Sequence, residues 1–139
     1  MQATVSELLG LRKAITDRLD FAHVVEQGLP ARAIDRIKES LGLPDSELTS
    51  ALAISTKTLG RMRKTGRPLS LVEGDRLYRL AQLIALAHDV FEQEDVVREW
   101  FRSPQIGLNN RTPLEVVVTE AGAREVEDLL LRIEHGVLS

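Results

Sequence analysis

The sequence predicts an all-α fold, on three observations. Apolar residues recur at i, i+3 and i+4 through most of the chain, helix-capping residues precede several of these stripes, and glycine or proline closes them. No segment alternates convincingly as a strand. Val116–Val118 is β-branched but directly follows a helix-start signal at Thr112, and is read as helix. The length, 139 residues, suits one compact domain or two small ones with a shared core.

The elements follow in order. Val5, Leu8, Leu9 and Ile15 mark a first helix, and Phe21, Val24 and Val25 a short second one. After Leu29-Pro30, the positions Ala33, Ile34, Ile37 and Leu41 form a full stripe that Gly42 ends. Pro44 opens a helix carrying Leu48, Ala51 and Leu52. Ser55 caps the next, which runs to about Thr65 and is stopped by Gly66 and Pro68. Ser70 and Glu73 have the spacing of a capping box, in which hydroxyl and carboxylate each satisfy an orphan amide. That box opens the longest helix, to about Phe91. Thr112-Pro113-Leu114-Glu115 repeats the signature, with proline in the first turn, where its missing N–H costs nothing. The last helix carries Val126, Leu129, Leu130 and Ile133, and closes at Gly136.

The loop Ser103–Arg111 is the expected boundary. It separates a helical extension (1–29) and a helix-turn-helix unit with its long helix (30–102) from a small helical domain (103–139). The long helix is apolar on two sides. Leu77, Leu80, Ala81, Ile84, Ala87 and Phe91 follow one stripe, and Leu83, Leu86 and Val90 another. A surface helix needs one stripe. The second buries either against the C-terminal unit or against another protomer, as a dimerisation face.

Several functional classes fall away. The chain has no cysteine, which excludes disulfides, thiolate metal sites and a cysteine nucleophile and fits a reducing cytoplasm. The N-terminus lacks a basic start followed by an apolar run, so no signal peptide is expected. Leu77–Phe91, the most apolar stretch, contains Arg79, Gln82, His88 and Asp89 and is too short and polar to span a bilayer. His23, His88 and His135 offer no ligand pair, and there is no glycine-rich phosphate loop. The expectation is a cytoplasmic protein with no catalytic residue, metal or cofactor.

The net charge of −3 hides an uneven distribution. Residues 1–53 carry six basic and eight acidic side chains; residues 54–72 carry five basic and none acidic; residues 73–139 carry seven basic and thirteen acidic. The basic island coincides with the Ser55-capped helix. At the helical period, Leu59 and Met62 share one side, while Lys57, Arg61 and Lys64 fall within about 60° of one another on the opposite side. A helix with a core face and a triple-basic outer face suits a major groove, where these cations reach phosphates or guanine acceptors. Ser55, Thr56 and Thr58 add small donors and acceptors, and Arg67, beyond the helix, is placed at a phosphate. Arg63 lies nearer the buried side, so it is expected at a rim or in an ion pair. On outline alone, such a face is also what solubility produces.

The segment Leu48-Thr49-Ser50-Ala51-Leu52-Ala53-Ile54-Ser55-Thr56-Lys57-Thr58-Leu59-Gly60-Arg61 resembles the helix-turn-helix of Xre/Cro-type repressors. Thr49 stands where that pattern favours alanine, and Ala53 where glycine usually makes the turn. A second set is more specific: Trp100, Pro104, Leu108, Thr112-Pro113-Leu114-Glu115, Thr119, Gly122, Val126, Leu130 and Arg132-Ile133-Glu134-His135-Gly136. It is similar to the toxin-binding domain of the Xre/MbcA/ParS antitoxin family. Together the two cover Pro30 to Ser139.

The resemblance implies an antitoxin whose partner is a RES-domain toxin, related in fold to ADP-ribosyltransferases, that depletes NAD⁺. It implies that the C-terminal region blocks the toxin's NAD⁺ pocket and that the complex represses its own operon. On it, Asn110, Arg111, Glu134, His135, Gly136, Val137, Leu138 and Ser139 are assigned to the toxin surface. From the residues alone, Asn110 and Arg111 read as a solvated turn and His135 as a helix C-terminal cation. The tail after Gly136, two apolar residues and a carboxylate, is expected to dock at a cleft built for an anionic dinucleotide. The chain is expected to pair with itself, so that two basic helices meet two operator half-sites. The alternative is a homodimeric repressor with no toxin partner; a third reading, an enzyme, has almost no support in the sequence.

Overall fold

The protein is described from a computed structural model, which covers residues 3–136. Among the described residues it forms nine α-helices, one 3₁₀ turn and no strand. The helices are α1 (Val5–Leu8), α2 (Arg18–Gln27), α3 (Arg32–Leu41), α4 (Asp45–Leu52), α5 (Thr56–Thr65), α6 (Leu71–Phe91), α7 (Glu94–Arg102), α8 (Pro113–Val116) and α9 (Glu120–Glu134). The 3₁₀ turn is Ile106–Leu108.

The α6 helix is the spine. Its Leu77, Leu80, Ala81, Leu83, Ile84 and Ala87 are buried. It is packed by α1, α2, α4 and α7, and most extensively by α9. The second apolar stripe is therefore covered largely by the same chain: Leu83 is buried, and Leu86 and Val90 are half-buried against the core. Residues on both sides of the loop 103–111 enter one continuous buried cluster.

Three local expectations change. The first helix ends at Leu8 rather than reaching Ile15. Gly10, at φ +68°, turns the chain, and Ile15 returns as a loop residue whose N–H donates to Ser6 Oγ at 2.8 Å. The stretch Glu94–Arg102, unmarked by any capping signal, is a helix that buries Val97, Trp100 and Phe101. Trp100 sits edge-on to Phe101 and 5.6 Å from the Phe91 ring. Finally, Val117 and Val118 form a turn rather than continuing the helix. Gly122 shows why: a Cβ there would lie 1.7 Å from the Val116 carbonyl oxygen, so α9 begins pressed onto the end of α8.

The capping signals hold. Both boxes form, Ser70 with Glu73 and Thr112 with Glu115. Thr119, unmarked as a cap, accepts from the Gly122 N–H at 3.0 Å and starts α9. Arg98 of α7 reaches back to α3, donating to the Ser40 carbonyl at 2.9 Å and the Glu39 carbonyl at 3.1 Å. The Glu39 carbonyl also receives the Gly42 N–H at 3.3 Å, and both acceptors lie at a helix C-terminus, where a cation is favoured.

Candidate functional site

The first candidate surface is built by α4, a tight turn and α5. The α4 helix closes with paired bonds, Ala53 N–H to Ser50 O at 3.2 Å and Ile54 N–H to Thr49 O at 3.0 Å. That is a Schellman closure, which needs a left-handed residue. Ala53 supplies it at φ 55°, ψ 41°, where a Cβ costs on the order of 1 kcal/mol relative to glycine. The other departure, Thr49, is buried inside α4, and its hydroxyl is satisfied by donating to the Asp45 carbonyl at 2.8 Å.

Ser55 caps α5, accepting from the Thr58 N–H at 3.0 Å and donating to the Thr58 hydroxyl at 2.8 Å. Leu59 and Met62 are buried against the core. Thr56, Lys57, Arg61 and Lys64 are exposed. Among the described residues no carboxylate lies within ion-pairing distance of these three cations.

The island's other two cations are engaged. Arg63 lies at the rim and joins α5 to α3 and α4. Its Nη1 is 2.8 Å from Asp45 Oδ2, and its Nε donates to Asp35 Oδ1 at 3.1 Å. Lys38 adds a 3.0 Å contact to Asp45. Hydrogen bonds from Arg63 first, and Lys38 second, hold the Asp45 carboxyl well below the usual carboxylate range. Arg67, expected at a phosphate, is clamped by both oxygens of Glu73, at 3.0 and 3.2 Å, and donates to the Pro68 carbonyl. That clamp lowers the Glu73 pKa, and Glu73 also receives the Ser70 N–H in the α6 capping box. A phosphate contact by Arg67 requires this clamp to open. The sequence block of +5 thus presents three unneutralised cations on one face.

The second candidate surface lies around the loop 103–111 and the end of α9. The Gln105 N–H donates to the Arg111 carbonyl at 3.0 Å, and the Asn110 N–H to the Gln105 carbonyl at 2.9 Å. Asn109 and Asn110 adopt left-handed backbone, at φ 58° and 63°. Gly107 rests on α9, where a Cβ would come within 3.0 Å of Leu129 Cδ1. Asn110 and Arg111 are exposed, as are Glu134, His135 and Gly136. Arg111 lines a groove of about 690 Å³ with Ser46, Glu47 and Ser50 of α4, rather than with the end of α9. The remaining three residues of the expected set, Val137, Leu138 and Ser139, lie outside the described residues.

No group of His, Asp or Glu among the described residues is placed to hold a metal ion. None of the described helices is long and apolar enough to cross a membrane. His88 is buried near Glu94, Asp89 and Arg98, and burial lowers its pKa.

Comparison with known proteins gives two domain matches that divide within α6. Residues 20–82 match the Antitoxin Xre-like helix-turn-helix domain, and residues 86–136 the Antitoxin Xre/MbcA/ParS C-terminal toxin-binding domain. The Antitoxin Xre of Yersinia enterocolitica (serotype O:8 / biotype 1B) is 32% identical over 116 residues, 83% of this chain and 78% of that protein. The Antitoxin Xre of Pseudomonas putida is 32% identical over 83 residues, 60% of this chain and 52% of that protein. Among solved structures, the M. tuberculosis MbcT-MbcA toxin-antitoxin complex contains a chain of the same fold. The TM-score is 0.59 at 24% identity, covering 78% of this chain and 96% of that one.

Proposed function

This chain belongs to the Xre/MbcA/ParS family of antitoxins, and from that premise we propose that it neutralises a RES-domain toxin and represses its own operon. One observation carries the reading. Residues matched to a toxin-binding domain are packed, through α6 and α7, onto a helix-turn-helix whose outer face keeps three unneutralised cations.

In the DNA-bound state α5 lies in the major groove. Lys57, Arg61 and Lys64 contact phosphates and base edges, with Thr56 beside them. Ser55 and Thr58, committed to the cap, stand where the helix N-terminus meets the backbone of the duplex. Two copies of the chain serve two half-sites. The toxin surface comprises the exposed loop residues Asn110 and Arg111 and the end of α9 from Glu134 to Gly136, extended by Val137, Leu138 and Ser139. Seated over the toxin's NAD⁺ pocket, it excludes the dinucleotide, and no residue of this chain performs catalysis. A repressor without a toxin partner leaves the match of residues 86–136 unexplained.

Co-expression with the toxin encoded in the neighbouring reading frame tests the proposal. The two products are expected to co-purify, and the complex to lose the NAD⁺ hydrolysis that the free toxin performs. A folded chain that neither co-purifies nor inhibits overturns it.

A further inference from the structure

Ile106 is 90% exposed, the most exposed of the large apolar side chains among the described residues. It is held in that position. The bonds that join Gln105 to Arg111 and to Asn110 close the loop, and the next apolar residue, Leu108, is buried beneath it. A lone exposed apolar side chain is ordinary on a protein surface; its neighbour here is not. Gly107 places the loop directly over Arg132 of α9, since a Cβ at that glycine would lie 3.8 Å from an Arg132 Nη2. The Nε of Arg132 is sealed from solvent and has no hydrogen-bond partner. Asp128, one helical turn earlier, does not pair with it. A desolvated guanidinium N–H without an acceptor is a penalty that the free chain carries.

We propose that Ile106 and Arg132 form the anchor by which this chain docks on its toxin. Ile106 enters an apolar socket, and Arg132 meets a carboxylate at the edge of that socket. A small outward rotation of Arg132 presents Nε and Nη2 together as a two-pronged donor, so docking relieves the unpaired N–H. A fixed apolar anchor beside a half-buried arginine has the composition of an interface hot spot. The occupant is the toxin rather than a second copy, because both residues lie within the segment matched to toxin binding, 86–136. The inference therefore rests on the proposed function.

The test measures affinity of the full chain for the toxin from the neighbouring reading frame, with Leu19→Ala as control. Leu19 is 79% exposed but lies on α2, outside that segment. Ile106→Ala is expected to weaken binding about 30-fold. Arg132→Lys, which keeps the charge and loses the planar fork, is expected to weaken it about 10-fold. Leu19→Ala is expected to leave affinity unchanged, and the thermal midpoint of Ile106→Ala to equal that of the parent. Binding of Ile106→Ala within twofold of the parent overturns the anchor while leaving the antitoxin reading intact. So does equal weakening by Leu19→Ala, or a loss of self-association in place of toxin affinity. Failure of the parent chain to bind the toxin overturns both.

Discussion

Arg61 and Arg63 are two residues apart on α5 and are expected to answer salt in opposite ways. Arg61 is exposed without a carboxylate partner, whereas Arg63 is held by Asp35 and Asp45. Each phosphate neutralised by a cation contributes about −0.9 to the slope of log K against log salt. Three free cations on each of two recognition helices give a slope of about −5 for operator binding. Arg61→Gln removes two phosphate contacts per dimer and is expected to bring the slope to about −3.6. Arg63→Gln is expected to leave the slope at its parent value, because Arg63 is neutralised within the fold, and to lower the thermal midpoint instead. Fluorescence anisotropy of a labelled operator between about 50 and 200 mM salt reads the slopes, within the range where they are steep. Equal slope changes in the two variants, or none in Arg61→Gln, refute the division of the island into free and engaged cations.

Three further outcomes concern the scaffold. Gly122→Ala places a Cβ against backbone rather than a flexible side chain, 1.7 Å from the Val116 oxygen. It is expected to cost about 3 kcal/mol or more, a fall of about 10 °C in thermal midpoint measured by calorimetry. Ala53→Gly relieves a left-handed alanine and, after the added unfolded-state entropy, is expected to stabilise the chain by up to about 1 kcal/mol in urea unfolding. The pKa of His88 is lowered by burial, so between that value and about 6.5 the unfolded chain binds the extra proton. Stability should therefore fall as pH drops below about 6.5 and level off beneath the folded pKa; His88→Gln should flatten that dependence in urea titrations at stepped pH.

What the sequence made legible was local. The Ser70 and Thr112 boxes, the Ser55 cap and the closure at Gly42 are each written within four or five neighbouring residues, and all form. The division of α5 into a buried and a basic face follows from periodicity, including the rim position of Arg63. What escaped depends on distant residues or lacks a marker. The partners of Arg63 lie 28 and 18 positions away, so its neutralisation is a tertiary fact. The helix α7 begins after Glu92 in left-handed backbone, with no glycine or proline and no side-chain cap to announce it. The second stripe of α6 is legible as apolar, but that its own chain largely covers it follows only from packing. Ile106 had one visible signal, an isoleucine in the polar run SPQIGLNNR, and needed the fold to show that it points outward beside an unpaired Arg132.

The central claim is that one chain carries two separable surfaces, α5 for DNA and the segment 86–136 for the toxin. The α5 helix packs on α4, and α4 also meets α8 of that segment, so the two surfaces share a scaffold while the α5 cations themselves stay exposed on its outer face. The most direct test replaces Lys57, Arg61 and Lys64 together with glutamine. One folded preparation is then titrated against operator DNA and against the toxin's NAD⁺ hydrolysis. The expected result is loss of operator binding with an inhibitory constant for the toxin equal to that of the parent chain. A folded triple variant that no longer inhibits the toxin, or that still binds the operator with parental affinity, contradicts the claim.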